Sequence, residues 1–165
     1  MIRLVPLADV DGAAVDALLD RAFEPERRGR TAYKVRGDAQ PIAALSFAAL
    51  DDDALVGTVQ CWPVRFTPDA GAATPLVMVG PVAVAPDRQR DGVGRRLMTH
   101  ALAAAQAHGC DALVLIGDPE YYGRFFGFTA QRTGGWRLPG PVEAHRLLAR
   151  GPGVPDGSGT LGPVD

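Results

Sequence analysis

The sequence has little that would direct it to a membrane or to the secretory pathway. No stretch reaches the roughly 18 consecutive apolar residues of a transmembrane helix, and Met1 to Pro6 lack the apolar core of a signal peptide. The positions of its two cysteines, Cys61 and Cys110, match neither a metal motif nor a disulfide framework. We therefore expect a cytoplasmic protein with reduced thiols.

An excess of charge of one sign is also missing. A net charge of −2 gives no reason to expect nucleic acid as a partner. The length of 165 residues suits one domain, which we expect over residues 1–150. Because residues 151–165 are mostly glycine and proline with little to bury, they predict a flexible tail. The oligomeric state is not predicted, and a homodimer is left open.

The two most common phosphate-binding loops are absent as well. A dinucleotide fingerprint needs a third glycine three residues after Gly94, where Leu97 stands, and no Gly-Lys-Ser/Thr of a Walker A loop occurs. Residues 76–109 instead contain an apolar run that predicts a strand, a turn, and a basic glycine-bearing segment that opens an alanine-rich helix. The start of a helix offers free N–H groups and partial positive charge to an anion.

The residues at this helix start favour a pyrophosphate. Gly92 and Gly94 let an anion approach the backbone, and guanidinium groups match the geometry of phosphate oxygens. Four arginines surround the same turn, namely Arg88, Arg90, Arg95 and Arg96.

The pattern Gln89-x-x-Gly92-x-Gly94, after a strand that ends Val82-Ala83-Val84-Ala85-Pro86, resembles the acyl-coenzyme A loop of the GNAT superfamily of N-acetyltransferases. The resemblance covers approximately residues 1–130, is densest over residues 79–128, and is similar to the YhbS-like branch of that superfamily. It implies acetyl-CoA as co-substrate, with no metal. By position, it implies that the backbone of Val82, Ala83 and Val84 holds the thioester carbonyl and the pantetheine amides. The loop residues that it implies for the coenzyme are Gln89, Arg90, Asp91, Gly92, Val93, Gly94 and Arg95.

Gly80-Pro81 lies in the middle of the predicted central strand. Because proline donates no hydrogen bond to a sheet, we expect pairing to be interrupted there and the neighbouring strands to splay. In the GNAT family, pantetheine occupies such a gap like an added strand. A long helix joins the central strand to the apolar strand Asp111–Ile116, and this crossover predicts that the two strands are parallel.

Hydrophobic periodicity predicts the rest of the fold. We expect a strand at Ile2–Val5, a helix capped by Asp9 that ends near Phe23, and a pair of strands at Ile42–Leu50 and Ala54–Phe66. The expected fold class is α/β (α+β). It is a GNAT-like mixed, mostly antiparallel sheet of six or seven strands with a splayed parallel pair and helices on both faces.

A tyrosine pair follows the strand that ends at Ile116. Tyr121-Tyr122, followed by Gly127-Phe128, resembles the closing signature of GNAT enzymes. Acyl transfer from a thioester expels a thiolate, and because thiols have a pKa near 8.5 and tyrosine near 10, a tyrosine hydroxyl can protonate the leaving sulfur. We predict Tyr122 as the catalytic acid. Tyr121 is the alternative, because this chain has one more residue before Gly127 than is usual in the family, and an aromatic packing cluster is the other interpretation.

More than one interpretation is open for the roles of several charged residues. The basic residues of segment 24–41 predict either a solvated loop or short helix, or a surface that meets an anionic substrate or the 3′-phosphate of the coenzyme; they are Arg27, Arg28, Arg30, Lys34 and Arg36. Asp51 to Asp53 are more typical of a turn than of a metal site. No general base is assigned, since a water chain would serve as well as the acidic side chains Glu24, Glu26, Asp118 and Glu120.

These observations predict an N-acetyltransferase that moves an acetyl group from acetyl-CoA directly to a primary amine of a small molecule, peptide or protein. A non-catalytic acyl-CoA-binding or sensing domain is the alternative, and a structural domain that binds no coenzyme is the third. The acceptor is not predicted, because the loops that would form its site carry the least pattern.

Overall fold

The computed structural model describes residues 1–164, which form eight strands and four α-helices. The strands are β1 (Ile2–Pro6), β2 (Phe47–Asp51), β3 (Ala54–Pro68), β4 (Thr74–Val84), β5 (Leu113–Ile116), β6 (Trp136–Arg137), β7 (Leu147–Arg150) and β8 (Gly159–Gly162). The helices are α1 (Gly12–Phe23), α2 (Thr31–Arg36), α3 (Val93–Ala107) and α4 (Pro119–Phe126). None of these four helices combines the length and the apolar character that crossing a membrane requires.

The strands form one mixed sheet in the order β1-β2-β3-β4-β5-β7, and β8 pairs with β3 and β6. Neighbours are antiparallel at β1–β2, β2–β3 and β5–β7, whereas β4 and β5 run parallel. A second parallel pairing joins the short strands β6 and β8. The predicted fold class is confirmed, with eight strands in residues 1–164 where six or seven were expected.

The parallel pairing of β4 with β5 is short. Its register comprises Val77 opposite Leu113 and Met78 opposite Val114. It stops just before Gly80-Pro81, where the sequence predicts an interruption, and the peptide bond between these two residues is cis. β4 itself continues to Val84. The strand therefore extends well past the residues that pair with β5 in this register.

The contacts between residues divide the chain into two compact units. The first unit comprises Met1–Arg28, Pro41–Cys61 and Gly80–His108. The second comprises Gly29–Gln40, Trp62–Val79 and the chain from Gly109 onward. β3 and β4 contribute residues to both units. A single domain over residues 1–150 stays a prediction.

Helices cover both faces of β4 in the first unit. Ala83 and Ala85 belong to an apolar cluster with buried residues of α1. On α3, a Cβ atom added to Gly94 would lie 3.5 Å from Cγ2 of Val84 and 3.7 Å from Cγ1 of Val82. Because successive residues of a strand point to opposite faces, α1 and α3 lie on opposite sides of β4, as the sequence predicts.

A glycine in β3 allows α3 to approach the sheet closely. A Cβ atom added to Gly57 would lie 2.8 Å from Cγ1 of Val93 and 2.9 Å from Cδ1 of Leu97. A larger residue would therefore push the helix away from the strand. The register of β2 with β3 shifts beside this glycine, between Ala49 and Leu50, as a β-bulge does.

The second unit contains an apolar core to which the carboxyl-terminal residues contribute. The rings of Phe66 and Trp136 lie at a centroid distance of 4.5 Å in this core. Val154 and Leu161 are buried with them. Leu161 lies in β8, which pairs antiparallel with residues Arg65 to Pro68 of β3.

The prediction of a flexible tail over residues 151–165 is therefore wrong for its described part. Val154 and Leu161 are isolated among glycines and prolines, so the segment shows no alternating pattern. Their burial depends on β3, which lies far away in the sequence, and such pairing leaves no local signal.

The first helix also begins later than predicted. Its N-cap is Asp11, whose carboxylate accepts a hydrogen bond from the N–H of Ala13 at 3.3 Å. Asp9 ends a short 3₁₀ helix instead, and Val10 after it has extended backbone. Both aspartates suit an N-cap by type, so residue type did not decide between them. β2 begins only at Phe47, because a short 3₁₀ helix precedes it.

Candidate functional site

The loop between β4 and α3 is a chain of tight turns. The N–H of Arg88 donates to the carbonyl of Ala85 at 2.8 Å, and the N–H of Asp91 donates to the carbonyl of Arg88 at 3.2 Å. Gly92 follows as the N-cap of α3 with a φ of +72°, in the left-handed region, and no side chain caps the helix. This φ favours glycine. The N-cap thus offers no side-chain acceptor to the start of α3, and a helix start of this kind suits an anion.

The two loop glycines serve different purposes. A Cβ atom at Gly92 would meet no atom of residues 1–164 within 4 Å, so the left-handed backbone is what demands glycine there. Gly94 lies in the first turn of α3, and the nearest atoms to an added Cβ, on Val84 and Val82, would be at ordinary contact distance. The protein itself would accept alanine at Gly94. Between them, Val93 is buried, so only its backbone could contact a ligand.

The four arginines around the loop are not equivalent. Arg90 is exposed and has no ion pair within residues 1–164. Arg95 is also exposed, and Nη2 of Arg96 donates to the carbonyl of Ile2 at 3.4 Å. Arg88 instead binds two carboxylates, since its Nη1 lies 2.8 Å from Oδ2 of Asp51 and its Nε lies 2.7 Å from Oδ2 of Asp91.

These ion pairs shift the pKa values of Asp51 and Arg88. Hydrogen bonds from the amino terminus and then from Arg88 lower the pKa of the Asp51 carboxyl. Hydrogen bonds to Asp91 and then to Asp51 raise the pKa of the Arg88 guanidinium. Asp51 also accepts a hydrogen bond from the amino group of Met1 at 2.8 Å. The acidic turn at 51–53 therefore contributes Asp51 to an ion-pair network beside the loop, and Asp52 joins it through an ion pair with the Met1 amino group at 3.9 Å.

Metal binding receives no support from the arrangement of acidic residues. Within residues 1–164, no group of three or more histidine, cysteine, aspartate and glutamate side chains could hold a metal ion.

Tyr122 lies on α4, directly after β5. The N-cap of α4 is Asp118, whose carboxylate accepts from the N–H of Glu120 at 3.1 Å, as the sequence predicts. A Cβ atom added to Gly117 would lie 2.5 Å from Cε2 of Tyr122 and 2.9 Å from its Cδ2. The absence of a side chain at Gly117 thus makes room for the Tyr122 ring at the carboxyl end of β5.

The environment of Tyr122 keeps its hydroxyl protonated. Burial raises its pKa above the ordinary tyrosine value, the nearby Tyr121 and Asp118 raise it further, and Arg146 partly opposes them. Within the described chain, the Tyr122 hydroxyl has no hydrogen-bond partner. A neutral phenol without a partner is free to donate to a ligand.

Tyr121 has a different setting. Its ring makes an edge-on contact with Tyr122 at a centroid distance of 5.0 Å and lies 5.4 Å from the ring of Phe125 and 5.9 Å from that of Phe126. Both tyrosines belong to one aromatic cluster, since the Tyr122 ring also lies near those of Phe126 and Phe128, but Tyr122 lies against Gly117 at the strand end as well. The geometry favours Tyr122, and its assignment as the catalytic residue stays a prediction.

Part of the basic segment is internal. Arg27 is only 3% exposed and binds Asp20 on α1. In the other unit, Arg36 is 8% exposed, with its guanidinium 3.7 Å from the ring centroid of Tyr33 and 3.8 Å from that of Trp62. The sequence predicts either a solvated loop or short helix, or a ligand surface. The short helix is present as α2, but these two arginines are buried, which neither interpretation predicts. Tyr33 and Arg36 are spaced as neighbours on a helix, which is the signal that could have indicated their stacking.

Two buried polar residues of β3 escaped the sequence interpretation. Thr58 is fully buried and Gln60 is 7% exposed. Within residues 1–164, neither Oγ1 of Thr58 nor Oε1 of Gln60 has a hydrogen-bond partner. Each such group costs about 1–3 kcal/mol. The signal was available, because these residues alternate as the polar positions of an otherwise apolar run.

Comparison with known proteins finds both a matching family model and a similar protein. A model of the acetyltransferase (GNAT) family matches residues 13–128, which include the β4–α3 loop and α4. The uncharacterized N-acetyltransferase YhbS of Escherichia coli K12 is 32% identical over 143 residues, which cover 84% of this chain and 83% of YhbS.

Solved structures share the fold. The crystal structure of the GNAT family N-acetyltransferase YhbS from Escherichia coli, in complex with CoA, matches with a TM-score of 0.71 and 27% identity, covering 98% of this chain and 87% of that chain. A GNAT family acetyltransferase from Brucella melitensis, in complex with acetyl-CoA, matches with a TM-score of 0.68 and 24% identity, covering 96% of this chain and 94% of that chain.

Proposed function

Because the chain belongs to the acetyltransferase (GNAT) family, we propose that it transfers an acetyl group from acetyl-CoA directly to a primary amine of a small molecule, peptide or protein. The start of α3 carries this proposal, since an exposed loop leads through left-handed Gly92 into a helix without a side-chain cap. The crystal structure of YhbS with CoA supports it, because the fold of YhbS matches this chain.

The coenzyme binds through its pyrophosphate at the start of α3. The backbone of Gly92, Val93 and Gly94 supplies N–H donors, and Arg90 and Arg95 supply exposed positive charge. Gln89 and Asp91 complete the loop. At the end of β4, the backbone of Val82, Ala83 and Val84 holds the thioester carbonyl and the pantetheine amides, which polarises the carbonyl for attack.

Acetyl transfer then takes place in one step. The amine nitrogen attacks the thioester carbonyl carbon, so that a C–N bond forms while the C–S bond breaks. Tyr122 donates its proton to the departing sulfur, so CoA leaves as the thiol. The extra proton on the acetylated nitrogen departs through water, and a proton from water restores Tyr122. No side chain is required as the general base.

The environment of Tyr122 suits this role. Its hydroxyl is protonated at neutral pH, as in any tyrosine; burial and the neighbouring Tyr121 and Asp118 raise its pKa further, which makes it a weaker acid. A hydroxyl that has no partner in the described chain loses no internal hydrogen bond when it donates to the sulfur. Positioned acids contribute about 10² to 10⁴ in rate.

The test is incubation of the purified protein with acetyl-CoA and a broad panel of amines, with measurement of thiol release. We expect one class of amine to release thiol well above the rate of hydrolysis. The acetylated product, identified by mass, must carry the new amide. Binding of CoA is measured in parallel by calorimetry.

Two results would contradict the proposal in different ways. Tight binding of CoA without thiol release on any amine would favour a non-catalytic acyl-CoA-binding or sensing domain. Absence of CoA binding in calorimetry would leave a structural domain as the remaining interpretation.

A further inference from the structure

Arg88 occupies the centre of an ion-pair network beside the loop. Its guanidinium bridges Asp51, at the end of β2, and Asp91, the residue before Gly92. The side chains of Arg88 and Asp51 are 26% and 27% exposed. Ion pairs this exposed contribute little to global stability. A guanidinium that holds two carboxylates at 2.7 and 2.8 Å nevertheless fixes their relative positions.

The network ties the loop to a firm part of the sheet. Asp51 pairs with Ile2 of β1 and with Ala54 of β3, so its backbone is held on both sides. The backbone of Asp91 instead lies in a turn, where its N–H donates to the carbonyl of Arg88 at 3.2 Å. Through Arg88, the residue that precedes the helix start is therefore attached to the β2–β3 hairpin, and the loop is ordered before any ligand arrives. Such preorganisation lowers the entropy that binding must overcome.

The same network compensates an unfavourable charge. Asp91 places a carboxylate inside a loop that is proposed to bind a pyrophosphate, and like charges repel. The Arg88 side chain neutralises that carboxylate by direct contact. With its Nε and Nη1 already donating to carboxylates, Arg88 differs from Arg90, which has no ion pair within residues 1–164.

We propose that Arg88 is a positioning residue for the coenzyme, which holds the pyrophosphate loop through Asp51 and neutralises Asp91 without itself binding the pyrophosphate. This inference rests on the proposed function, because it assumes that the loop binds CoA. It assigns Asp51, which lies in a different strand from the loop, an indirect part in coenzyme affinity.

The experiment measures the Kd of CoA and of dephospho-CoA by calorimetry for the full chain and its variants. We expect Arg88→Ala to weaken binding of both ligands about tenfold, because both carry the pyrophosphate. Asp51→Asn is expected to weaken both about threefold, whereas Asp53→Asn, an exposed aspartate in the same turn, is the matched control and leaves Kd unchanged. Arg88→Lys keeps the charge and is expected to restore part of the affinity.

A double variant distinguishes the two roles proposed for Arg88, which are to hold the loop through Asp51 and to neutralise Asp91. In Arg88→Ala/Asp91→Asn the unneutralised carboxylate is gone, so we expect tighter binding than in Arg88→Ala alone. Thermal unfolding of each variant checks that the fold is retained, and Arg88→Lys provides the comparison if Arg88→Ala is unstable.

The opposite outcomes overturn the inference. If Arg88 contacts the pyrophosphate directly, Asp51→Asn frees its guanidinium, and binding stays unchanged or becomes tighter. A loss confined to CoA, with dephospho-CoA unaffected, would place Arg88 at the 3′-phosphate. If Arg88→Ala and Arg88→Ala/Asp91→Asn bind CoA with equal affinity, Arg88 does not act by neutralising Asp91. Absence of CoA binding by the unaltered protein would instead overturn the proposed function together with this inference.

Discussion

The loop before α3 and the helix α4 after β5 hold their candidate residues in different ways. At the loop, backbone conformation dominates, with Gly92 at a φ of +72° and successive turns that leave the start of α3 without a side-chain cap. At α4, side-chain packing dominates, since the Tyr122 ring fills the space beside Gly117 and lies in a cluster of aromatic rings.

This difference explains why the role of the loop before α3 is easier to predict from the sequence than the role of α4. A backbone site needs glycines at fixed spacing, and such spacing is visible in the sequence. A packed side chain is selected by its neighbours in space, so Tyr121 and Tyr122 look alike until the structure shows which ring lies against Gly117. We therefore expect substitutions at the loop to change coenzyme affinity and substitutions at α4 to change turnover.

The largest expected effect is at Tyr122. In Tyr122→Phe we expect turnover with acetyl-CoA to fall about 10²-fold, because the proton donor is removed while the ring remains. Affinity for CoA is expected to stay nearly the same. Tyr121→Phe is the matched control, and its turnover should change little. Steady-state kinetics and calorimetry measure both quantities. Loss of CoA affinity in Tyr122→Phe would show that the residue acts in packing. It would also contradict the expectation that substitutions at α4 change turnover and substitutions at the loop change affinity.

An intermediate effect is expected at Gly94. In Gly94→Ala the new methyl group is at ordinary contact distance from Val84 and Val82, and alanine favours a helix by up to about 1 kcal/mol. We expect unchanged or slightly higher stability together with a Kd for CoA about tenfold weaker, since the methyl group blocks approach to the backbone. Calorimetry and thermal unfolding measure the two effects. If the affinity for CoA and the stability both fall in Gly94→Ala, the protein itself does not accept a methyl group at this position. Gly94 is then required for packing within the protein, and the description of the loop as a backbone binding site is wrong.

The smallest effect appears only in alkaline solution. Burial raises the pKa of Tyr122 in the folded protein, so the folded state holds this proton more tightly than the unfolded state. The resulting stability is fully present below about pH 10, the unfolded tyrosine pKa, and is lost as pH rises through the folded pKa. Tyr122→Phe is expected to lose less stability between pH 9 and 11 than the unaltered protein. Urea unfolding at each pH measures this, and parallel curves for both proteins would show that Tyr122 is not desolvated.

The order of the main elements, the parallel crossover and the loop before α3 were predictable, because each has a local signature such as periodicity, a proline or a glycine pair. β8 was not, since Leu161 is buried by pairing with β3 and has no apolar neighbours of its own. Arg27 and Arg36 were also missed as internal residues. Charge predicts exposure in general, and contacts made in the fold, such as Arg27 with Asp20 and Arg36 with Trp62, reverse that expectation.

Gly57 gives the first turn of α3 a mechanical dependence on β3. Val93 and Leu97 of α3 pack against Gly57, so the distance between the helix and the strand depends on the absence of a side chain at residue 57. Coenzyme affinity could then be adjusted from a position that never meets the coenzyme. Substitutions of increasing side-chain volume at residue 57 would move α3 progressively away from β3. The affinity for CoA would measure that displacement.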